Sequence, residues 1–361
     1  MYLCNPNISV LAQTREIIER LRDLHRLTAS EFMTLLQDDD PLDNRFLQSE
    51  ARRAAVASFG HGIHVRGLLE ISSHCRNNCL YCGLRAANAS AVRYRLELPE
   101  ILDCCRKARS AGFRTFVLQG GEDPVQDDDW VERTVSSIHA EFPDCAITLS
   151  LGEKSPEAYR RFRLAGADRY LLRHETSSPE HYARLHPAGM SRDRRIECLR
   201  VLKSEGYQTG AGMMVGSPYQ TLDNLVGDLM FIMDLRPEMI GIGPFIHHSA
   251  TPFASFPDGS VDMTLKLISV LRLMDPRAMI PATTALSTLD PAGRAKAVLA
   301  GANVIMPNIT PASVRSDYAL YDGIACTGAE CADGLEELKK ELAAIGYAIA
   351  SGRGDYDKME S

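Results

Sequence analysis

Residues 75–83 read Cys-Arg-Asn-Asn-Cys-Leu-Tyr-Cys-Gly and place three thiols, those of Cys75, Cys79 and Cys82, at C-x3-C-x2-C spacing. A loop this short can fold all three sulfurs around one metal centre. A structural zinc site and a self-contained electron-transfer cluster both use four protein ligands, and only three are local here. The spacing indicates a centre with one position left for a ligand that the protein does not supply. A zinc loop and three unrelated buried thiols are the alternatives.

The same stretch resembles the cluster loop of the radical S-adenosylmethionine (SAM) superfamily, including the aromatic residue Tyr81 immediately before the last Cys. The resemblance implies a [4Fe-4S] cluster whose fourth iron is chelated by the amino and carboxylate groups of SAM. It also implies that one electron from the cluster cleaves the sulfonium to methionine and a 5′-deoxyadenosyl radical.

Composition restricts the class of protein. The chain has 361 residues and a formal net charge of −7, from 40 basic and 47 acidic side chains, which argues against a nucleic-acid or membrane-surface partner. No apolar run approaches the ~20 residues of a membrane-spanning helix. Ten Cys residues, three of them close together, suit a reducing compartment and metal ligation better than a disulfide framework. We expect a cytoplasmic protein.

Apolar or β-branched runs alternate with helix-patterned stretches through most of the chain. Eight such runs, each followed by a crossover, predict the α/β class and a (β/α)8 TIM-type barrel, with a doubly wound open sheet as the alternative. Residues 1–60 predict an N-terminal helical cap packed on the barrel, which itself spans residues 61–322. Residues 323–361 predict a short C-terminal tail with one helix, frayed from Ser351 onward. The eight runs are His64–Ile71, Phe113–Leu118, Ala146–Leu151, Arg169–Leu172, Thr209–Val215, Met239–Phe245, Met279–Thr284 and Asn303–Pro307.

Polar and glycine residues stand at the predicted C-terminal ends of the strands, where the active groups of such barrels gather. Gln119–Asp123 follows the second strand. In the radical SAM pattern a glycine-rich stretch at this place binds the methionine amine of SAM, whereas a simple turn is the alternative. Arg173–Thr176 follows the fourth strand, and its charges would be costly if buried without partners. A structural salt bridge is the alternative there.

Several longer stretches resemble the HydE family of [FeFe]-hydrogenase maturases, in order from about residue 64 to about residue 322. They include Val117–Asp123, Thr148–Glu153, Ala167–Thr176, Thr209–Gly216 and Pro281–Ala285. The resemblance implies that the three Cys residues of the loop hold the cluster. The cofactor contacts that it implies are Tyr81, Gln119, Gly120, Gly121, Glu122, Ser150, Glu175 and Arg195. The residues that it implies around the substrate are Arg169, Arg173, Thr283, Thr284, Tyr318 and Tyr321.

By the same resemblance the chain would act in assembly of the dithiolate bridge of the hydrogenase H-cluster, on a small-molecule or iron-complex substrate. Other hydrogenase maturation proteins and a reductant such as ferredoxin or flavodoxin are the implied partners. Many HydE proteins have a second three-Cys set near the C-terminus, whereas this chain offers only Cys326 and Cys331 there. We therefore do not expect a second cluster.

Three rival functions fit parts of the pattern. Biotin synthase shares the fold and the SAM chemistry, but it needs further Cys ligands on inner strand ends, where this chain has Gln119, Ser150 and Met213. Methylornithine synthase, an amino-acid mutase, could use the same Arg and Thr groups for its substrate. An iron–sulfur scaffold or electron carrier without catalysis is the third, and a loop with only three Cys argues against it.

Overall fold

The centre of the computed structural model, which describes residues 6–324 and 328–357, is a barrel of parallel strands. Most strand residues are buried, as the apolar runs of the sequence predict. The strands are β1 (Gly62–Val65), β2 (Gly67–Ser72), β3 (Thr115–Gly120), β4 (Ala146–Ser150), β5 (Arg169–Leu171), β6 (Gln208–Ala211), β7 (Met214–Val215), β8 (Met239–Ile240), β9 (Gly243–Pro244), β10 (Val304–Ile305) and β11 (Ala348–Ile349).

The barrel closes through a continuous series of parallel pairings. β2, β3, β4, β5, β6 and β8 pair in that order. Isolated parallel bridges join Met239 to Met279 and Pro281 to Val304, so residues 279–281 occupy the seventh strand position of the ring. β10 then pairs with β1, which continues into β2, and so the ring returns to its start. The predicted (β/α)8 TIM-type barrel is confirmed.

Helices surround the barrel, and most of the longer ones bury one apolar face. Several begin with a side-chain cap that satisfies a backbone N–H of the first turn. Thr28 and Glu31 form a capping box at α2, and Gly166 ends α6 in the left-handed conformation. Within the described residues, no helix is both long and apolar enough to cross a membrane. The helices are α1 (Pro6–Leu24), α2 (Ala29–Gln37), α3 (Pro41–Phe59), α4 (Leu98–Ser110), α5 (Asp128–Glu141), α6 (Pro156–Ala165), α7 (Pro179–Leu185), α8 (Arg192–Ser204), α9 (Leu222–Leu235), α10 (Val261–Met274), α11 (Thr284–Leu289), α12 (Gly293–Leu299), α13 (Ala312–Arg315) and α14 (Leu335–Ala344).

The N-terminal helices pack on the outer helices of the barrel. α2 contacts α9, and α3 contacts α10 and α12. The Nδ1 atom of His25 lies 2.7 Å from the carbonyl oxygen of Leu273, and the side chains of Phe32 and Leu47 are buried. The division of the chain into a helical cap, a barrel and a tail remains a prediction, with its bounds at residues 1–60, 61–322 and 323–361.

The C-terminal tail binds the N-terminal end of the barrel, and the prediction that it frays from Ser351 onward is wrong for residues 351–357. β11 pairs with β1. Beyond it, Asp355 forms an ion pair with Arg169 at 2.6 Å, and Arg353 forms one with Asp168 at 2.7 Å. Tyr356 donates a hydrogen bond to Asp275. These contacts join the tail to elements that are distant in sequence, so the tail sequence alone gave no sign of them.

Candidate active site

The Cys loop follows β2 at the C-terminal end of the barrel and is attached to α7 by two hydrogen bonds. The backbone N–H of Leu80 donates to the carbonyl oxygen of Leu185 at 2.9 Å. The hydroxyl of Tyr81 lies 3.1 Å from Nε2 of His186, whose Nδ1 lies 3.0 Å from the carbonyl oxygen of Tyr182.

The state of His186 fixes the direction of these bonds. Burial lowers the pKa of His186 to about 3, so the ring is neutral at neutral pH. Nδ1–H therefore donates to the Tyr182 carbonyl oxygen, and Nε2 accepts from Tyr81. The aromatic residue of the motif is thus oriented from outside the loop.

Two glycines allow the loop to contact its neighbours closely. A Cβ on Gly83 would lie 2.2 Å from the carbonyl oxygen of Ala319, and a Cβ on Gly121 would lie 2.3 Å from the carbonyl oxygen of His74. Both distances are far below van der Waals contact. Only glycine lets the Cys loop pack against the segment after β3 and against the segment that carries Tyr318.

The three thiols suit a cluster. Burial raises the pKa of Cys75, of Cys79 and of Cys82, so these thiols become thiolates only beside a positive centre. No group of three or more His, Cys, Asp or Glu side chains in residues 6–324 and 328–357 is arranged to hold a single metal ion. A four-iron cube distributes its thiolates over different irons, so three local thiols fit a cluster better than they fit zinc.

A cavity of about 340 Å³ lies beside the loop, inside the C-terminal half of the barrel. Its size is that of a small-molecule site. It brings together most of the residues that the sequence singled out. These are Tyr81, Cys82, Gln119, Gly120, Ser150, Arg173, Glu175, Thr283, Thr284, Tyr318 and Tyr321.

Strand register places one row of polar side chains on the wall of this cavity. Glu70 pairs with Gln119 across β2 and β3, and Gln119 pairs with Ser150 across β3 and β4. Residues paired in register on parallel strands point to the same face. Sequence reasoning found Gln119 and Ser150 but missed Glu70, which lies within an apolar run. An acidic residue within that run was the signal in the sequence, but nothing local shows the face of the strand on which it lies.

Other residues that line the cavity were not predicted as site residues. They are Met214, Met306, Asn308 and Glu330. Glu330 comes from a 3-10 helix, Gly328–Glu330, whose position depends on the C-terminal fold rather than on any local pattern. An ion pair with Arg294 and a hydrogen bond of 3.0 Å from Thr284 hold its carboxylate.

Glu175 has a strained backbone. Its φ is +64°, in the left-handed region that a side chain with a Cβ rarely adopts. Its backbone N–H donates to the carbonyl oxygen of Gly212 at 3.0 Å, and its carboxylate forms an ion pair with Arg173 at 3.1 Å. Strain of this kind costs on the order of 1–3 kcal/mol and is concentrated at functional sites. The Nε atom of Arg173 and Oγ1 of Thr283 have no hydrogen-bond partner among the described residues.

Three of the expected cofactor contacts lie outside the cavity lining. Gly121 contacts the Cys loop instead. The carboxylate of Glu122 accepts hydrogen bonds from Arg76 at 2.9 Å and from the backbone N–H of Glu153 at 3.0 Å, so it ties the Cys loop to the segment after β4. Arg195 is buried and forms an ion pair with Glu153 at 2.8 Å. A cofactor contact of Arg195 remains a prediction.

The expectation that Arg169 lines the substrate cavity is wrong. Its side chain is fully buried at the N-terminal end of β5, where it pairs with Asp355 and donates to Thr115 at 3.1 Å. Arg169 begins its strand and Arg173 follows it, so the two lie at opposite ends of the barrel. The resemblance to HydE covers Ala167–Thr176 as a whole, and it does not show that these two Arg residues lie in different environments.

Of the two C-terminal Cys residues, Cys326 lies outside the described residues and Cys331 is buried. That this pair holds no second cluster remains a prediction.

Comparison with known proteins shows the family to which this chain belongs. Residues 69–232 match the Radical SAM superfamily. The [FeFe] hydrogenase maturase subunit HydE of Thermotoga maritima is 44% identical over 316 residues, which are 86% of this chain and 88% of that protein. The 3-methylornithine synthase of Methanosarcina barkeri is 31% identical over 82% of this chain and 84% of that protein. The crystal structure of methylornithine synthase (PylB) covers 92% of this chain and 97% of its own, with a TM-score of 0.81 and 27% identity. This chain belongs to the radical SAM superfamily and is a close relative of HydE.

Proposed function

We propose that this protein cleaves SAM reductively and uses the resulting radical in maturation of an [FeFe]-hydrogenase, in assembly of the dithiolate bridging ligand. The observation that carries the proposal is that Cys82 of the cluster loop lines the same cavity as Glu175 and Arg173. Cofactor chemistry and substrate binding can therefore take place in one enclosed space. The cluster would be held by Cys75, Cys79 and Cys82.

When bound, the cluster supplies the electron that releases a 5′-deoxyadenosyl radical from SAM. The protein's own residues then have three tasks. Gln119, Ser150 and Glu175 offer polar groups for the cofactor at the ends of neighbouring strands. Arg173 and Thr283 offer unpaired donors to an anionic group of the substrate. The surrounding walls exclude water and stray hydrogen donors, which a primary carbon radical would otherwise attack.

The partners follow from this chemistry. The substrate is a small molecule or an iron complex that fits the cavity, and a low-potential ferredoxin or flavodoxin is the proposed reductant. Other hydrogenase maturation proteins receive the product. We propose a cytoplasmic location, where such reductants operate.

Maturation of a hydrogenase in vitro tests the proposal. Apo-[FeFe]-hydrogenase is incubated anaerobically with a maturation lysate that lacks only its own HydE, and H2 evolution is measured after adding this protein. We expect activity with the wild-type chain and none with Cys79→Ala, which removes one cluster ligand. A wild-type chain that cleaves SAM but never restores H2 evolution would limit the function to radical SAM chemistry of another kind.

Methylornithine synthase activity is the second candidate, because a protein of that activity is 31% identical over most of this chain. An amino-acid substrate could use the same donors of Arg173 and Thr283. Incubation with free lysine, SAM and dithionite, followed by mass spectrometry, distinguishes the two. Formation of 3-methylornithine would favour the mutase, and its absence together with restored H2 evolution would favour the maturase.

A further inference from the structure

A buried His residue stands directly before Glu175 in the chain and is not among the residues that line the cavity. The side chain of His174 is 0% exposed. Its ring packs against the ring of Phe231 from α9, with 4.8 Å between the centroids. Polar atoms in the interior are costly without partners, so the two ring nitrogens should be engaged. Their partners come from the segment after β6 and from α9.

The first ring nitrogen holds the backbone that in turn holds Glu175. Nδ1 of His174 accepts a hydrogen bond from the backbone N–H of Gly212, with 3.2 Å between the two nitrogens. A backbone N–H can only donate, so Nδ1 carries no proton and the ring proton lies on Nε2. The carbonyl oxygen of Gly212 accepts the backbone N–H of Glu175 at 3.0 Å. Both polar backbone groups of Gly212 are therefore bonded to the His174–Glu175 pair.

Gly212 is itself fixed on its other side. A Cβ at this position would lie 1.9 Å from the carbonyl oxygen of Gly241, so the two backbones are in close contact. The backbone N–H of Gly241 donates to the carbonyl oxygen of Ala211 at 2.8 Å. The segment after β6 thus lies between the end of β5 and the segment after β8, and it provides a firm partner for His174.

The second ring nitrogen faces α9. Nε2 of His174 lies 3.5 Å from Oδ1 of Asp228, whose side chain is also 0% exposed. The same oxygen accepts the backbone N–H of Ser177. A carboxylate opposite Nε2 favours the ring form that has its proton there, and this form leaves Nδ1 free to accept. Asp228 therefore holds the chain on both sides of Glu175.

These contacts stabilise a backbone that would otherwise relax. The left-handed conformation of Glu175 is unfavourable for a residue with a Cβ, and it persists only where the surrounding structure determines it. Relaxation to an extended backbone would turn the side chain in another direction. The carboxylate of Glu175 would then leave its place beside Arg173 on the cavity wall.

We propose that His174, oriented by Asp228, is a positioning residue that holds the carboxylate of Glu175 where SAM binds. The inference rests on the proposed function, because it requires that Glu175 contacts SAM. His174 itself does not line the cavity, so its effect on the cofactor should pass through Glu175. We expect the loss of the acceptor at Nδ1 to weaken SAM binding while the cluster remains.

Three substitutions at position 174 separate the acceptor from the bulk and the polarity of the ring. Asn has a side-chain oxygen close to the place of Nδ1, Gln has its polar atoms near the place of Nε2, and Leu has only the apolar contact with Phe231. SAM affinity is measured for His174→Asn, His174→Gln and His174→Leu by anaerobic spectroscopic titration of the reconstituted proteins. Iron per chain is measured in parallel. His139→Gln, on the exposed surface of α5, is the matched control.

We expect His174→Gln and His174→Leu to bind SAM roughly tenfold more weakly than wild type, whereas His174→Asn and His139→Gln stay within about threefold. Iron per chain should not change, because the three Cys ligands are intact in every variant. Unchanged affinity in His174→Leu, or equal losses in His174→Asn and His174→Gln, overturns the inference. If His174→Leu does not fold, the comparison of the two amide variants decides.

A double-mutant cycle shows whether the effect passes through Glu175. Glu175→Gln alone should weaken SAM binding roughly tenfold, and the addition of His174→Gln should weaken it by no more than about a further twofold. A second tenfold loss would mean that the two residues act independently, and it overturns the inference.

The outcome is separable from that of the proposed function. Restored H2 evolution by wild type, together with unchanged SAM affinity in the His174 variants, overturns this inference alone. If Glu175→Gln binds SAM as wild type does, the cofactor contact of Glu175 fails and the inference fails with it, whatever H2 evolution shows. The expected losses of affinity without H2 evolution would support the role of His174 and leave the hydrogenase assignment to fail by itself.

Discussion

Replacement of Asp355 by Asn tests whether the C-terminal tail stabilises the barrel. The carboxylate lies 2.6 Å from Nη2 of Arg169, whose side chain is 0% exposed. Arg169 keeps hydrogen bonds to Thr115, to Gln208 and to the carbonyl oxygen of Arg353 after the change. It loses its closest negative charge. The buried guanidinium is then left with neutral partners at the N-terminal end of the barrel.

The magnitude follows from the burial of the two partners. Breaking a buried ion pair from one side costs about 3–5 kcal/mol. The Asp355 side chain is 33% exposed, and water screens part of the interaction, so we expect a loss of about 2–3 kcal/mol in the free energy of unfolding. Burial raises the pKa of Asp355, but Arg169 and Arg353 outweigh it and hold the value below the ordinary range. The contribution is therefore complete above about pH 4 and is lost as the pH falls through the lower folded-state pKa.

Urea unfolding followed by circular dichroism measures the effect at neutral pH. Asp357→Asn is the matched control, because Asp357 lies two residues farther along the tail and is exposed. We expect the control to stay within about 0.5 kcal/mol of wild type. Equal unfolding midpoints for Asp355→Asn and Asp357→Asn would refute the reasoning, since the tail would then not be bound to the barrel in solution.

Three further predictions concern the site. Gly83→Ala places a Cβ 2.2 Å from the carbonyl oxygen of Ala319 and should reduce the iron bound per chain after reconstitution. The control Gly189→Ala has open space around its Cβ and should bind as much iron as wild type. Equal iron contents in the two variants would contradict the packing argument. Glu175→Gln should weaken SAM binding roughly tenfold in a spectroscopic titration while the cluster remains, and unchanged affinity would remove Glu175 from the cofactor site. Burial raises the pKa of Glu70 from 4.5 to about 7. As the pH rises from about 4.5 to about 7, the free energy of unfolding of wild type should therefore fall by about 3 kcal/mol relative to that of Glu70→Gln. A difference between the two proteins that does not change with pH would contradict that pKa.

The sequence predicts the barrel and much of the site because their signals are local. Three Cys residues within eight positions identify the cluster loop. Gln119 and Ser150 are polar residues at strand ends, where a strand core would favour Val or Ile. Parallel strands that alternate with helices then bring such ends to one face of the barrel.

The remaining features depend on contacts between distant parts of the chain. Glu70 was not predicted as a site residue, because the sequence does not show on which face of its strand an acidic residue inside an apolar run lies. Arg169 begins β5 and Arg173 follows it, so the two lie at opposite ends of the barrel, but the ion pair of Arg169 with Asp355 joins residues that are distant in the sequence. Glu330 reaches the cavity through a 3-10 helix whose sequence resembles an ordinary loop.

The central claim is that the Cys loop and its cavity cleave SAM. The most direct measurement is formation of 5′-deoxyadenosine from SAM by the anaerobically reconstituted, dithionite-reduced protein, with the electron paramagnetic resonance spectrum recorded before and after SAM is added. We predict deoxyadenosine formation and a SAM-dependent spectral change in wild type, and neither in Cys79→Ala. A four-iron cluster whose spectrum does not respond to SAM, together with no cleavage, would contradict the account and favour an iron–sulfur scaffold or electron carrier.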